Sequence, residues 1–415
     1  MLKLIRFEIK KLLKSSFTFS MLILFLFALS FYYSYSYIKT ERIDKEIRST
    51  EMFLEGNQQQ LASLEEELEE NPDLKNRGEF LQELQLAEAW VDRHERKLAA
   101  LNHEDWSTIL EDEIERDTEG IERIESEYNP YPNHVKWATD FTERVHYYRM
   151  IYLLEHDISP VLPYSIFGEL TVYDRSFDDD FLKEIIKVTS NKYSSSSFYF
   201  LYRSLEIIFS LAGIVFFVFL FGDIITKEGL NRYGPINFLS TQALSSSKIL
   251  SSKFLTVLIK SVIILLITGF FSLLLGLIFD HVGAWNYPVL IYEADYEFYF
   301  MPLLYFIGKS FFLFMVLLIF SYSLLFFFSI LTKRAVLAIG FTLGILLLGT
   351  MYSGDPDTSL AAYNPFHYLK IYDIVSMKTA AMHENFQMTW KNGFLSLASA
   401  SIIFLLASFG LMRLK

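Results

Sequence analysis

The sequence predicts an all-α membrane protein: six transmembrane helices, N and C termini cytoplasmic, and a helical, coiled-coil-like extracellular domain between the first and second spans. Three observations predict it. Apolar residues come in long blocks; 52% of the 415 residues are hydrophobic and the mean hydropathy is +0.26, more apolar than an average soluble chain. One long segment, residues 39–197, holds no window apolar enough to span, and instead repeats Leu and Ile at seven-residue spacing. Lys and Arg gather in short polar segments between the blocks, where acids are almost absent.

Residues 1–38 form the first domain, an amphipathic helix and a span. Leu2, Ile5, Ile9, Leu12 and Leu13 recur at helical spacing, with Lys3, Arg6, Lys10 and Lys14 on the opposite face. Such a helix suits an anionic membrane surface. The apolar block at 17–38 is long and lacks a small-residue cleavage site, so it is read as a span and not as a signal peptide. Five basic residues precede it, and Tyr32, Tyr33, Tyr35 and Tyr37 mark its outer interface.

The insert at 39–197 carries 37 acidic and 18 basic side chains. Ile47, Leu54, Leu61 and Leu68 step by seven, with Leu64 between; Leu84, Val91 and Leu98 repeat the period, helped by Ala87 and Leu101. Leu110, Ile114, Ile121 and Ile124 form a third seam. Asn71-Pro72 and Arg77-Gly78 separate the first two seams and Asn129-Pro130 ends the third, which predicts antiparallel helices. A further helix is expected over 134–156, and Asp178, Asp179 and Asp180 are read as capping a helix from about 181. They lack the spacing of a calcium loop, so no metal site is assigned. The acidic excess reads first as solvated helix faces; a cationic peptide is the partner it would attract.

The remaining domain, 198–415, supplies five spans. The second, 198–221, contains Arg203 and Glu206, three apart and so on one helical face. An ion pair within a span faces protein or water, so these two are either a structural pair or a candidate intramembrane polar path. The third and fourth spans are expected at 254–279 and 303–331, with Lys260 and Lys309 inside them. The tight turn Thr332-Lys333-Arg334 leads to the fifth at 335–351, where Gly340 and Gly344 permit close contact with another span or a partner permease. Residues 352–389 lie outside, and the last span is 390–411. The four segments this places inside hold 13 Lys and Arg and only Glu8, Asp223 and Glu228 as acids. A cytoplasmic insert would push every basic loop outward, against the positive-inside rule.

The polar run at 222–253 reads GDIITKEGLNRYGPINFLSTQALSSSKILSSK. Gly234-Pro235 breaks it; then Ile236, Leu239, Ala243, Leu244, Ile249 and Leu250 predict a short helix along the membrane surface, its polar face open to a soluble partner. The run resembles the first cytoplasmic loop of type-2 ABC exporter permeases, which carries an acid, Gly-Thr, an apolar turn, Gln-Pro-Ile-Ser-Arg and a closing Lys. Glu228, Gly234, Phe238-Leu239, Gln242, Leu244-Ser245, Lys248-Ile249-Leu250 and Lys253 follow that pattern. Pro235, Ala243 and Ser246 depart from it, standing where the pattern has Thr, Pro and Arg. The run Phe7-Glu8…Lys10-Lys11 is similar to the elbow helix of the same permeases.

The resemblance implies a permease subunit of an ATP-driven exporter in a bacterial plasma membrane. It implies a separate ABC ATPase that uses ATP and Mg, a second permease copy or homologue making a dimer, and contact with membrane lipids. Glu228, Arg232, Gly234 and Pro235 would couple to the ATPase, with Gln242 and Lys248 at the docking surface. Peptides, lipids or antimicrobial compounds are the cargo classes that a large outer insert suggests. The alternative is an ATP-driven signalling subunit that acts through the insert on an envelope partner and moves no cargo. The chain itself has no Walker A motif, no His-Glu-x-x-His and no Gly-x-Ser-x-Gly, so neither catalysis nor a bound cofactor is expected of it. It has no cysteine for a disulfide or thiol site, and no nucleic-acid partner is expected.

Overall fold

In the computed structural model the described residues are 4, 6, 8, 10, 15–127, 137–174, 177, 179–226 and 246–413. Helix α1 spans Ser16–Lys39. Most of its side chains are bare, including Phe19, Leu24, Phe27 and Phe31. Bare apolar side chains on so long a helix fit a lipid-facing surface.

The chain divides into two compact units, one of Lys39–Ser194 and one of Met1–Ile38 with Ser195–Lys415. In the first, α2 (Ile43–Glu70) and α3 (Gly78–Asn102) are joined by a single 3-10 turn at Pro72–Asn76. Pro72 cannot continue a helix, so the chain turns back there. The pairing is antiparallel, with Asn57 against His94 at 3.3 Å and Glu46 against Lys97 at 3.2 Å. Helices α4 (Trp106–Glu127), α5 (Asp140–Glu155) and α6 (Asp180–Thr189) follow. No residue of the three apolar seams is exposed, and Leu64, Ala87, Leu101, Leu110 and Ile121 are fully buried. Helix α5 starts at Asp140, later than the expected 134, because Thr139 caps it by accepting the Thr142 N–H, and Asp174 in turn accepts from the Thr139 N–H and hydroxyl. The Asp179 carboxylate caps α6 at the Phe181 N–H, 2.9 Å away; Asp178 is outside the described residues.

A buried ionic cluster closes this unit. Glu169 pairs with Arg149 and, at 2.8 Å, with Lys192, and His146 stands 3.9 Å off. Burial alone would raise the pKa of Glu169; the two cations outweigh it and hold the carboxyl well below its ordinary value.

The second unit contains α7 (Ser197–Ile208), α8 (Leu211–Phe221), α9 (Ser246–Phe279), a hairpin of β1 (Pro288–Tyr292) and β2 (Phe298–Pro302), then α10 (Leu303–Thr332) and α11 (Ala335–Met351). Short helices α12 (Ile371–Val375) and α13 (Lys378–Met382) precede the last long helix, α14 (Trp390–Arg413). Among the described residues four helices, α1, α9, α10 and α14, are long and apolar enough to cross a membrane, and the bent pair α7–α8 makes a fifth candidate. Helix α11 keeps the expected bounds but has 17 residues, about 25 Å of helix against a hydrocarbon core of about 30 Å. Helix α10 is the centre: 72% of its most apolar window is buried. Buried hydroxyls tie it to α9, where Ser261 and Tyr322 meet at 2.6 Å; Ser204 of α7 meets Ser272 of α9 at 3.1 Å.

Three expectations are corrected. The chain is not wholly α, because β1 and β2 pair antiparallel from Pro288↔Pro302 to Tyr292↔Phe298, favoured by β-branched Val289 and Ile291 on one strand and by aromatic Phe298, Tyr299 and Phe300 on the other. The second span is two helices. The helix of the third span is already formed at Ser246, not from 254, since nothing between Ser246 and Phe254 breaks a helix; Lys248, Ile249 and Leu250 therefore belong to α9 and not to a separate surface helix.

Candidate functional site

One end of the membrane unit is built around a buried ion pair. Leu4, Arg6, Glu8 and Lys10 are helical, with Arg6 and Lys10 exposed and Glu8 buried. Glu8 is two positions from each basic neighbour: each helical step is about 100°, so it points roughly 200° from both Arg6 and Lys10 and away from their exposed face. Its partner is Lys253 on the third turn of α9. The Lys253 ammonium donates to the Glu8 carboxylate at 3.1 Å and to the Ile224 carbonyl at 3.4 Å. The two side chains are only 2% and 3% exposed, so the pair is desolvated. Ile224 lies just past α8, so Lys253 clasps both ends of the intervening run and fastens them to the N-terminal helix. The start of that run is also pressed on α11: a Cβ at Gly222 would run into the Ile339 side chain.

Further along, α7 and α8 meet at a 68° bend. Ser210 causes it by capping α8, its hydroxyl accepting the Ala212 N–H at 3.2 Å. Gly213 permits it, because a Cβ there would overlap the Ile208 carbonyl oxygen. A break inside an apolar body leaves backbone groups that need partners. The Phe209 carbonyl finds one in the Ile371 N–H at 3.3 Å, and the Tyr372 hydroxyl donates to the Tyr202 carbonyl at 3.0 Å. Tyr202 and Phe306 pack on the Tyr372 ring with centroids 5.1 and 4.9 Å away. Two turns before the break, Arg203 and Glu206 pair at 3.0 Å, the arginine 18% and the glutamate 42% exposed. The carboxylate therefore keeps part of its surface open beside the discontinuous helix, where a polar or cationic group could pair with it.

Of the residues expected to couple to an ATPase, Glu228, Arg232, Gly234, Pro235 and Gln242 lie outside the described residues. Lys248 is exposed on the first turn of α9, while Lys253, five residues on, faces inward. Arg203 and Glu206 are brought together as the spacing requires. Sequence reasoning passed over the Glu8–Lys253 pair and the break at Ser210. The available signals were an acid beside an apolar stripe, which needs a cation when buried, and a Ser-Leu-Ala-Gly sequence inside a span. Comparison with protein-family models, curated proteins and solved structures gives no match for this chain.

Proposed function

We propose that the chain is the membrane-spanning permease subunit of an ATP-driven exporter, energised by a separate ABC ATPase that docks on the run between α8 and α9. The clasp of Lys253 on Glu8 and the Ile224 carbonyl carries this proposal. It makes both ends of the run one mechanical point, joined to the N-terminal helix and, through Gly222 against Ile339, to α11. Force applied by an ATPase at the run, with Lys248 at its exposed margin, reaches α8, α9 and α11 together. Helix α8 then leads to the break beside Arg203 and Glu206. For ATP to move this body, it must favour one arrangement of the helices over another. A second copy has bare apolar surface to meet on α1 and on the Gly340–Gly344 face of α11, where no described residue would come within 4 Å of an added Cβ.

The test is to purify the tagged full chain from its own membranes and measure Mg-dependent ATP hydrolysis and the accompanying protein. An ATPase that accompanies the wild type and is lost from E228K/K248E, with unchanged melting of the chain, supports the proposal. A chain that purifies without any nucleotide-hydrolysing partner, or a run that is labelled from outside intact cells, overturns it. A signalling role in place of export is favoured by the separate unit 39–194; ATP hydrolysis stimulated only by an envelope protein, and by no cargo, would select it.

A further inference from the structure

Within the unit Lys39–Ser194, an open groove of about 850 Å³ runs between α2 and α3, walled at one end by α4 and residues 164–167. Its volume lies in the upper range for ligand sites. Glu83, Leu86, Trp90 and Lys97 line it from a single helix, so it is about 21 Å long. That length fits an extended chain better than a compact molecule. In a domain dense with charge, four large apolar side chains stand open along it: Phe53, Leu86, Trp90 and Phe167 are 62%, 60%, 45% and 46% exposed. The groove's fixed cations are already neutralised. Arg93 pairs with Asp112 at 2.8 Å, Lys97 with Glu46 at 3.2 Å, and Arg116 with Glu113 at 2.6 Å. Glu83 forms no ion pair among the described residues, so the charge left over is negative, as it is for the whole insert. At the other end Tyr164 is 7% exposed; the Lys97 ammonium stands beside its oxygen, and no acceptor among the described residues takes the hydroxyl proton. Its ring is fixed by the edge of Trp106 and by the Lys97 ammonium 5.1 Å from the ring centre. Burial pushes the phenol up to about 12, which keeps it a proton donor. A buried donor without a partner is costly unless an incoming acceptor meets it.

We propose that this groove binds an extended segment of a cationic, apolar-rich peptide. Apolar side chains of the peptide cover Phe53, Leu86, Trp90 and Phe167, a Lys or Arg meets Glu83, and a main-chain carbonyl accepts from the Tyr164 hydroxyl. A lipid acyl chain fits less well, because charged side chains line the groove throughout. The inference concerns this unit alone and does not depend on the exporter proposal.

The experiment uses the full chain in nanodiscs of zwitterionic lipid, with empty discs subtracted. The probe is a fluorescent nine-residue peptide of Lys, Leu and Phe, read by anisotropy. One control peptide has Glu in place of Lys; another has Ser in place of Leu and Phe. Saturable binding of the first peptide alone is expected, weakened about tenfold by Trp90→Ala, as for an aromatic anchor, and about threefold or more by Glu83→Gln and by Tyr164→Phe. Phe53→Ser, at a more exposed position, repeats the Trp90 test should that variant lose helicity by circular dichroism. Equal affinity for wild type and the groove variants, equal binding of the Glu peptide, or binding no greater than to empty discs overturns the proposal.

Discussion

Replacing Lys253 by Met tests the clasp directly. At 3.1 Å the attraction between Lys253 and Glu8 is about 5 kcal/mol at an effective dielectric constant of about 20. The variant removes that attraction and leaves the Glu8 carboxylate buried without its cation, which costs about 3–5 kcal/mol. For a unit of this size each kcal/mol moves the midpoint by about 2–4 °C, so K253M should melt roughly 10 °C below wild type. The double variant E8L/K253M removes both charges and fills the site with apolar volume, and should recover to within about 1 kcal/mol of wild type. The assay is the loss of the monodisperse peak in size-exclusion chromatography after heating detergent-solubilised protein, run as a four-member cycle with E8L. A K253M midpoint within 2 °C of wild type, or a double variant no better than the single, refutes the claim that this is a desolvated pair.

Glu169→Gln should destabilise the insert by about 3–5 kcal/mol, since it leaves Arg149 and Lys192 together without their counter-charge. Because the folded-state pKa of Glu169 is depressed, its contribution is present above the ordinary carboxyl value of 4.5 and is lost as pH falls below it through the folded-state value. The wild-type insert should therefore show a melting signal that declines below pH 4.5 more steeply than that of E169Q, and parallel curves would refute the assignment. Gly213→Ala should cost at least about 3 kcal/mol, more than ordinary overpacking, because its Cβ meets rigid backbone. Gly308→Ala, in open space on α10, is the matched control; equal melting of the two variants would show that the break does not depend on Gly213.

What the sequence made legible was local. Apolar blocks marked α1, α10 and α14 nearly to the residue, because a run of about 20 apolar residues has few other uses. The seam through Leu64, Ala87 and Leu101 was visible because helical neighbours recur at fixed spacing. The clasp was not legible, since Glu8 and Lys253 are 245 positions apart and either residue alone looks like a flanking charge. Ser210 was overlooked because its cap lies inside an unbroken apolar stretch, where composition outweighs a single hydroxyl. The β1–β2 hairpin was overlooked because its Tyr and Phe residues also suit a membrane interface. Tyr164 and Glu83 gave no signal at all; their significance lies in what surrounds them in three dimensions.

The stapling of Ile224 to Lys253 has one more consequence. Ile224 and Lys253 are 29 positions apart in the chain and meet at 3.4 Å, so the helical body is closed at this point whatever the length of chain between them. Doubling such a stretch adds only about 0.6 kcal/mol of closure entropy. Insertions or deletions between positions 227 and 245 should therefore leave the melting of the helical body within about 1 kcal/mol of wild type.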